Sequence, residues 1–295
     1  MGERSIIASC TSGLANRMLM LVGARRLARL TQRKLLLYWP ENDQLGCPFD
    51  ALFQNAPDMI HDGDMHALLR SDRTMKVYNA WHCPPLYESV APDGDPDAEI
   101  ILLKGWTAPK FANETLADIR DELCDGLQQL VPVDEVQALA DAIEVPERGL
   151  GFHIRSDETG EGGKFFAQSK QEHFETILRA VLEQRGDTAF FLATFQPEVE
   201  RYFRGVLGDR LMVFPKSGLR REHAAIREAL VDLLLLSRTR GVLGHHGSTF
   251  SQVAAMLGPR LLVMATETTA STGRAAVVRR FTDALNGTPE VHLEL

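Results

Sequence analysis

Two residues able to hold an anion lie two positions apart: His153 and Arg155, in the stretch GLGFHIRSDETG over 149–160. Leu150, Phe152 and Ile154 alternate with them as an apolar set. That is the pattern of a strand, and its two-residue period sends His153 and Arg155 to the opposite face. An arginine in a buried strand is costly to desolvate unless an anion partners it. Two kinds of anion fit. One is a protein carboxylate, with Asp157 and Glu158 next in the chain; the other is the phosphate of a ligand. Glycines at 160, 162 and 163 suit a loop that touches a ligand.

Two further stretches offer related chemistry. In SGLAN (12–16), Gly13 lets backbone approach a ligand, and the amides of the helix that follows attract an anion; an ordinary turn capped by Asn16 is the alternative. GxGxxG fails at Ala15, and no GK[ST] follows, so neither a dinucleotide fingerprint nor a P-loop is present. In GVLGHHGSTFSQVAAML (241–257), Ser248 and Thr249 stand where hydroxyls cap helix amides, a cap that a phosphate can share. A plain cap closed by Gln252 is the other reading. His245 and His246 are adjacent on a strand, so they point to opposite sides and cannot chelate one metal together. Asp232, inside the apolar run ALVDLLLLSRT, needs donors: a guanine N1–H and N2–H₂ edge, or an arginine.

The elements that carry these residues follow from hydrophobic period. SIIASC (5–10), a glycine turn, the helix RMLMLVGARRLARLTQ (17–32) and LLLYW (35–39) form a βαβ unit and hence a parallel sheet. Residues 40–110 are rich in turn formers, and IILLKGW (100–106) is the strand expected there. Helices are expected at 112–131 and 133–144, with VPERG (145–149) as a linker. From 149 onward strands and helices alternate evenly: strands at 149–155, 188–194, 210–215, 241–246 and 260–265, and helices at 170–186, 196–208, 223–239, 248–258 and 274–286. Continuous apolar strands between helices predict a parallel sheet covered on both faces. The fold expected is therefore α/β, in two doubly wound halves: an N-terminal domain over 1–147 and a C-terminal domain over 148–295. In such sheets ligands sit beyond the strand carboxyl ends where strand order reverses, and the three stretches above lie at such ends.

With 295 residues, a net charge of −8 and 44% apolar residues, the chain has ordinary globular composition. The acidic balance argues against nucleic acid as a partner. No stretch approaches the ~20 apolar residues of a membrane span, and the short N-terminal apolar run lacks the form of a signal peptide, so a cytoplasmic protein is expected. Cys10, Cys47, Cys83 and Cys124 are scattered without a CxxC pair, which fits reduced thiols better than a zinc site or a disulfide framework.

SGLANR (12–17), HIRSDE (153–158) and DLLLLSRTRGVLGHHGSTFS (232–251), in that order, resemble the fucosyltransferase superfamily that includes the rhizobial nodulation fucosyltransferase, the α1,6-fucosyltransferases and the protein O-fucosyltransferases. The resemblance implies a GT-B fold, with two Rossmann-like domains facing a cleft, the first on the acceptor side and the second on the donor side. It implies a metal-independent, inverting glycosyltransferase that uses a GDP-sugar, most often GDP-fucose, on a hydroxyl acceptor such as a saccharide, with no cofactor besides that donor. Arg155 would be the catalytic group that stabilises the departing diphosphate, where charge grows in the transition state. His153 would contact the ribose or phosphate region, Asp232 the guanine, and Ser248, Thr249 and Phe250 the phosphate and nucleoside pocket, with Gly13 and Asn16 facing the donor. Asp157, Glu158 and His246 are candidate bases. The usual HxRRxD pattern carries a second basic residue where this chain has Ser156, and HHG precedes the STF. These departures suggest an alternative, a protein that binds GDP or a nucleotide-sugar without transferring it. A metal-dependent Asp-x-Asp site would draw on Asp62–Asp64 or Asp93–Asp95, both expected to be solvated loops.

Overall fold

The computed structural model describes residues 3–80, 88–146, 148–155, 168–217, 223–259, 261–287 and 292–293. It divides into two compact units, Met1–Asp134 with Gly218–Arg227, and Glu135–Ser217 with Glu228–Leu295.

The first unit is built on β1 (Ser5–Ser9), β2 (Lys34–Tyr38), β3 (Asp58–Met59), β4 (Met75–Ala80) and β5 (Ile100–Gly105), all parallel, in the order β3-β2-β1-β5-β4. Ile7 pairs with Leu36 on one side and Leu102 on the other, so apolar side chains stack across the middle of the sheet. Helix α1 (Leu14–Leu30) follows β1, three residues earlier than its apolar run suggests, and is buried on nearly every side. The buried Arg26 of α1 forks onto Glu114 and also meets Glu122 of α3 (Arg120–Gln128), which fixes the helix pair. Segment 112–119, expected to be helical, instead turns: the Thr115 amide and hydroxyl both donate to Asp118, and helix begins only at Arg120. Residues 40–110 hold more regular structure than their turn formers suggest, namely α2 (Asp62–Leu69) and β4.

Asp62 and Asp64 thus lie in the first turn of a helix, where acidic side chains favour the dipole, rather than in a loop. Asp95 does sit in a turn, but it is half-buried and accepts a hydrogen bond from the Tyr78 hydroxyl. Cys10, Cys47 and Cys124 are buried thiols of this unit that form no disulfide, and Cys83 lies outside the described residues. Burial pushes the Cys10 thiol up to about 12 and Cys47 up to about 11.

The second unit, after α4 (Asp134–Asp141), repeats the plan with β6 (Gly149–His153), β7 (Ala189–Ala193), β8 (Leu211–Val213), β9 (Val242–Gly244) and β10 (Leu262–Met264). Its parallel order is β10-β9-β6-β7-β8. Helices α5 (Gln171–Gln184), α6 (Pro197–Leu207), α7 (His223–Ser237, in this unit from Glu228 on), α8 (Thr249–Leu257), α9 (Glu267–Ala270) and α10 (Arg274–Leu285) connect and flank these strands. Leu150, Phe152 and Ile154 enter one core with Phe174, Phe190, Phe203 and Phe281. Successive strands run outward from β6 through β7 to β8, then resume on its other side with β9 and β10. Strand order therefore reverses between β6 and β9, and a ligand crevice is expected at the carboxyl ends of those two strands. No described helix is long and apolar enough to cross a membrane.

Candidate functional site

The β6–β9 reversal brings together residues 95 or more apart in sequence. β6 ends at His153, whose Nδ1 lies 3.0 Å from the Ser251 hydroxyl and 3.3 Å from that of Ser248. The Phe250 ring packs on the imidazole with centroids 4.7 Å apart. Beyond β9 the chain passes through His245 and His246, turns at Gly247 with φ +68°, and enters α8 at Thr249. Ser248 occupies the N-cap position, but its hydroxyl makes no capping hydrogen bond and is bonded to His153 instead. The Ser248 side chain therefore does not cap the amides that open α8. Thr249 and Phe250 are half-buried in that first turn.

Arg155 is half-buried two residues past the end of β6, so its side chain leaves from the loop and not from the ladder. Asp157 and Glu158, its local carboxylates and two of the candidate bases, lie outside the described residues, as do the glycines at 160, 162 and 163. The third candidate base, His246, is half-buried, and its backbone amide donates to the Ser169 hydroxyl at 2.7 Å. His245 is buried beside Phe174, and β9 ends at Gly244, so neither histidine lies on the strand expected to send them to opposite sides. Among the described residues no group of three His, Cys, Asp or Glu side chains lies close enough to hold a metal ion.

Asp232 is 2% exposed on α7 and is partnered by Lys216, not by an arginine; the ammonium lies 2.7 Å away and also donates to the Phe214 carbonyl. Lys216 leaves the segment after β8, another strand carboxyl end, and sits 4.8 Å from the Phe214 ring centroid. Burial pushes the Asp232 carboxyl up to about 7, against the pull of Lys216. Its folded value is thus above its ordinary one of about 4. The stability this gives is full below about pH 4 and is lost as pH rises through about 7. The unfolding free energy of the wild type from urea titration should therefore fall relative to that of Asp232→Asn between those pH values, by at most about 1.4 kcal/mol per pH unit. A flat or opposite difference would contradict the assignment.

In the first unit, Gly13 is the N-cap of α1 with φ −67° and ψ 167°, and a Cβ added there would meet nothing within 4 Å. Neither backbone strain nor packing calls for glycine here. Asn16 lies inside α1 and is not its N-cap; its Oδ1 and the Ser12 hydroxyl are buried without a hydrogen-bond partner among the described residues. Sequence reasoning missed Arg17, which organises this loop. Fully buried, it donates to Ser12 O at 2.5 Å, Pro40 O at 2.8 Å and Asn42 Oδ1 at 3.0 Å, over the Trp39 ring. Asn42 in turn donates to Thr11 O at 2.7 Å. The carboxyl ends of β1 and β2 are thereby tied to each other. Desolvation lowers Arg17 to about 10, leaving it charged at neutral pH.

No family model and no curated protein matches the chain. Solved structures do. The fucosyltransferase NodZ from Bradyrhizobium superposes with a TM-score of 0.59 over 88% of this chain and 95% of that one, at 19% identity. An arginine-to-lysine variant of Arabidopsis thaliana FUT1 in complex with GDP gives 0.57 over 89% and 70%, at 14% identity. POFUT1 in complex with GDP-fucose gives 0.55 over 89% and 97%, at 11% identity. The chain has the two-unit, parallel-sheet fold of these GT-B fucosyltransferases.

Proposed function

We propose that the chain is a glycosyltransferase that takes a GDP-sugar, GDP-fucose first among them, and passes the sugar to a hydroxyl acceptor with inversion and without a metal. The observation that carries this reading is the cluster of side chains at the β6–β9 reversal. An imidazole, two buried serine hydroxyls and an aromatic face meet at the start of α8, and Arg155 follows two residues after β6, where a doubly wound sheet is expected to hold its ligand. The fold is that of structures solved with GDP or GDP-fucose, which supports a guanine nucleotide over other ligands.

In this reading the second unit binds the donor and the first the acceptor. The acceptor oxygen attacks the anomeric carbon as the bond to the β-phosphate oxygen breaks, and GDP leaves with the bonding electrons. Arg155 and the opening amides of α8 stabilise the charge gathering on the diphosphate. Ser248 and Thr249 meet the phosphates, Phe250 packs on the nucleoside and Asp232 takes the guanine edge. The acceptor proton goes to one of Asp157, Glu158 and His246, and a pH–rate profile on single variants identifies which.

A thermal-unfolding panel followed by circular dichroism, with GDP, GDP-fucose, UDP, CDP and NAD, tests the donor. GDP and GDP-fucose at about 100 times Kd should add about 2.7 kcal/mol and raise Tm, with UDP, CDP and NAD inert. An equal shift with UDP, or none with GDP, would overturn the reading.

A further inference from the structure

Ser251 is fully buried and Ser248 nearly so. Among the described residues each hydroxyl has one partner, and it is the same atom, His153 Nδ1, at 3.0 Å and 3.3 Å. A buried O–H needs an acceptor. With the imidazole proton on Nδ1, both serine protons would have none. With Nδ1 bare, its lone pair receives Ser251 at the shorter distance and shares Ser248, and the proton resides on Nε2. Hydrogen-bond satisfaction therefore selects one tautomer. Phe250 packs on the ring and restricts its rotation. The end of β9 makes room for the arrangement: a Cβ at Gly244 would lie 2.7 Å from Ser251 Cβ and 2.9 Å from its Oγ. Only a backbone without a side chain lets Ser251 sit there.

We propose that Ser251 is a positioning residue: with Ser248 it locks His153 as the neutral imidazole protonated on Nε2, so that the ring has a donor and not an acceptor to offer a nucleotide anion. The nucleotide in this statement rests on the function proposed above; the tautomer does not.

Long-range ¹H–¹⁵N spectra of the full, ligand-free chain at about pH 8, above the ordinary histidine range, test the lock. His153 is assigned by the signals lost in His153→Gln. The wild type should show an unprotonated Nδ1 and a protonated Nε2. Ser251→Ala should mix the tautomers and weaken GDP binding on the order of tenfold, with far-ultraviolet circular dichroism unchanged. Ser248→Ala, which removes the longer contact, should mix them less. A proton on Nδ1 in the wild type, or an unmixed tautomer in Ser251→Ala, overturns the proposal. If the tautomers behave as stated and GDP binds neither protein, the lock stands and the nucleotide reading falls.

Discussion

Arg155→Ala is expected to fold as the wild type does and to lose transfer from GDP-fucose by on the order of 10²–10³-fold. The side chain leaves the chain two residues after the last ladder residue of β6, so its removal breaks no strand pairing. Its proposed partner is a diphosphate whose charge grows as the sugar departs, so the loss should fall mainly on kcat, with a smaller change in KM. Arg155→Lys keeps the charge but gives up the planar fork that meets two phosphate oxygens at once, and it should recover only part of the rate. Initial rates with a saccharide acceptor panel measure this. Near-normal turnover in Arg155→Ala would remove Arg155 from the chemistry.

Arg17→Met should cost about 3 kcal/mol of stability, read as a lower urea midpoint at unchanged slope. Methionine fills much of the volume but donates nothing. Ser12 O, Pro40 O and Asn42 Oδ1 would each lose a donor in a region closed to water, and Trp39 would lose the cation above its ring. Arg17→Lys keeps a charge yet cannot reach three acceptors in one plane, so an intermediate loss is expected. An Arg17→Met midpoint within error of the wild type would mean that the β1 and β2 loops hold themselves.

Legibility in the sequence followed how much each element depends on its own apolar period. From 149 onward each expected strand and helix is present, one to three residues shorter at its ends, because buried parallel strands are nearly all apolar and their helices strongly one-sided. The stretch 40–110 concealed α2 and β4. The helix opens with DGD, which is also turn chemistry, and β4 lies at the sheet edge with Lys76 and Val77 exposed. His153, Ser248 and Phe250 were visible because each closes or opens an element. Ser251 was not, since a serine one turn into an apolar helix has no period of its own; a glycine closing β9 seven residues earlier is the only trace it leaves. Arg17 closes the SGLANR stretch, but nothing in its spacing reveals that three acceptors surround it.

The partition of side chains between the two units bears on how the protein can be watched. All three tryptophans, at 39, 81 and 106, and all four cysteines belong to the first unit, and the second has neither, only Tyr202 among the stronger chromophores. Tryptophan emission and labelling of the buried Cys10 and Cys47 therefore report on the unit that holds Arg17. Labelling of Cys10 and Cys47 requires opening, because both thiols are buried and, raised to about 12 and 11, carry almost no thiolate at neutral pH. Events around His153 are optically silent. Phe250→Trp, with its ring already 4.7 Å from the imidazole, would place a lamp at the crevice and make the second unit visible on its own.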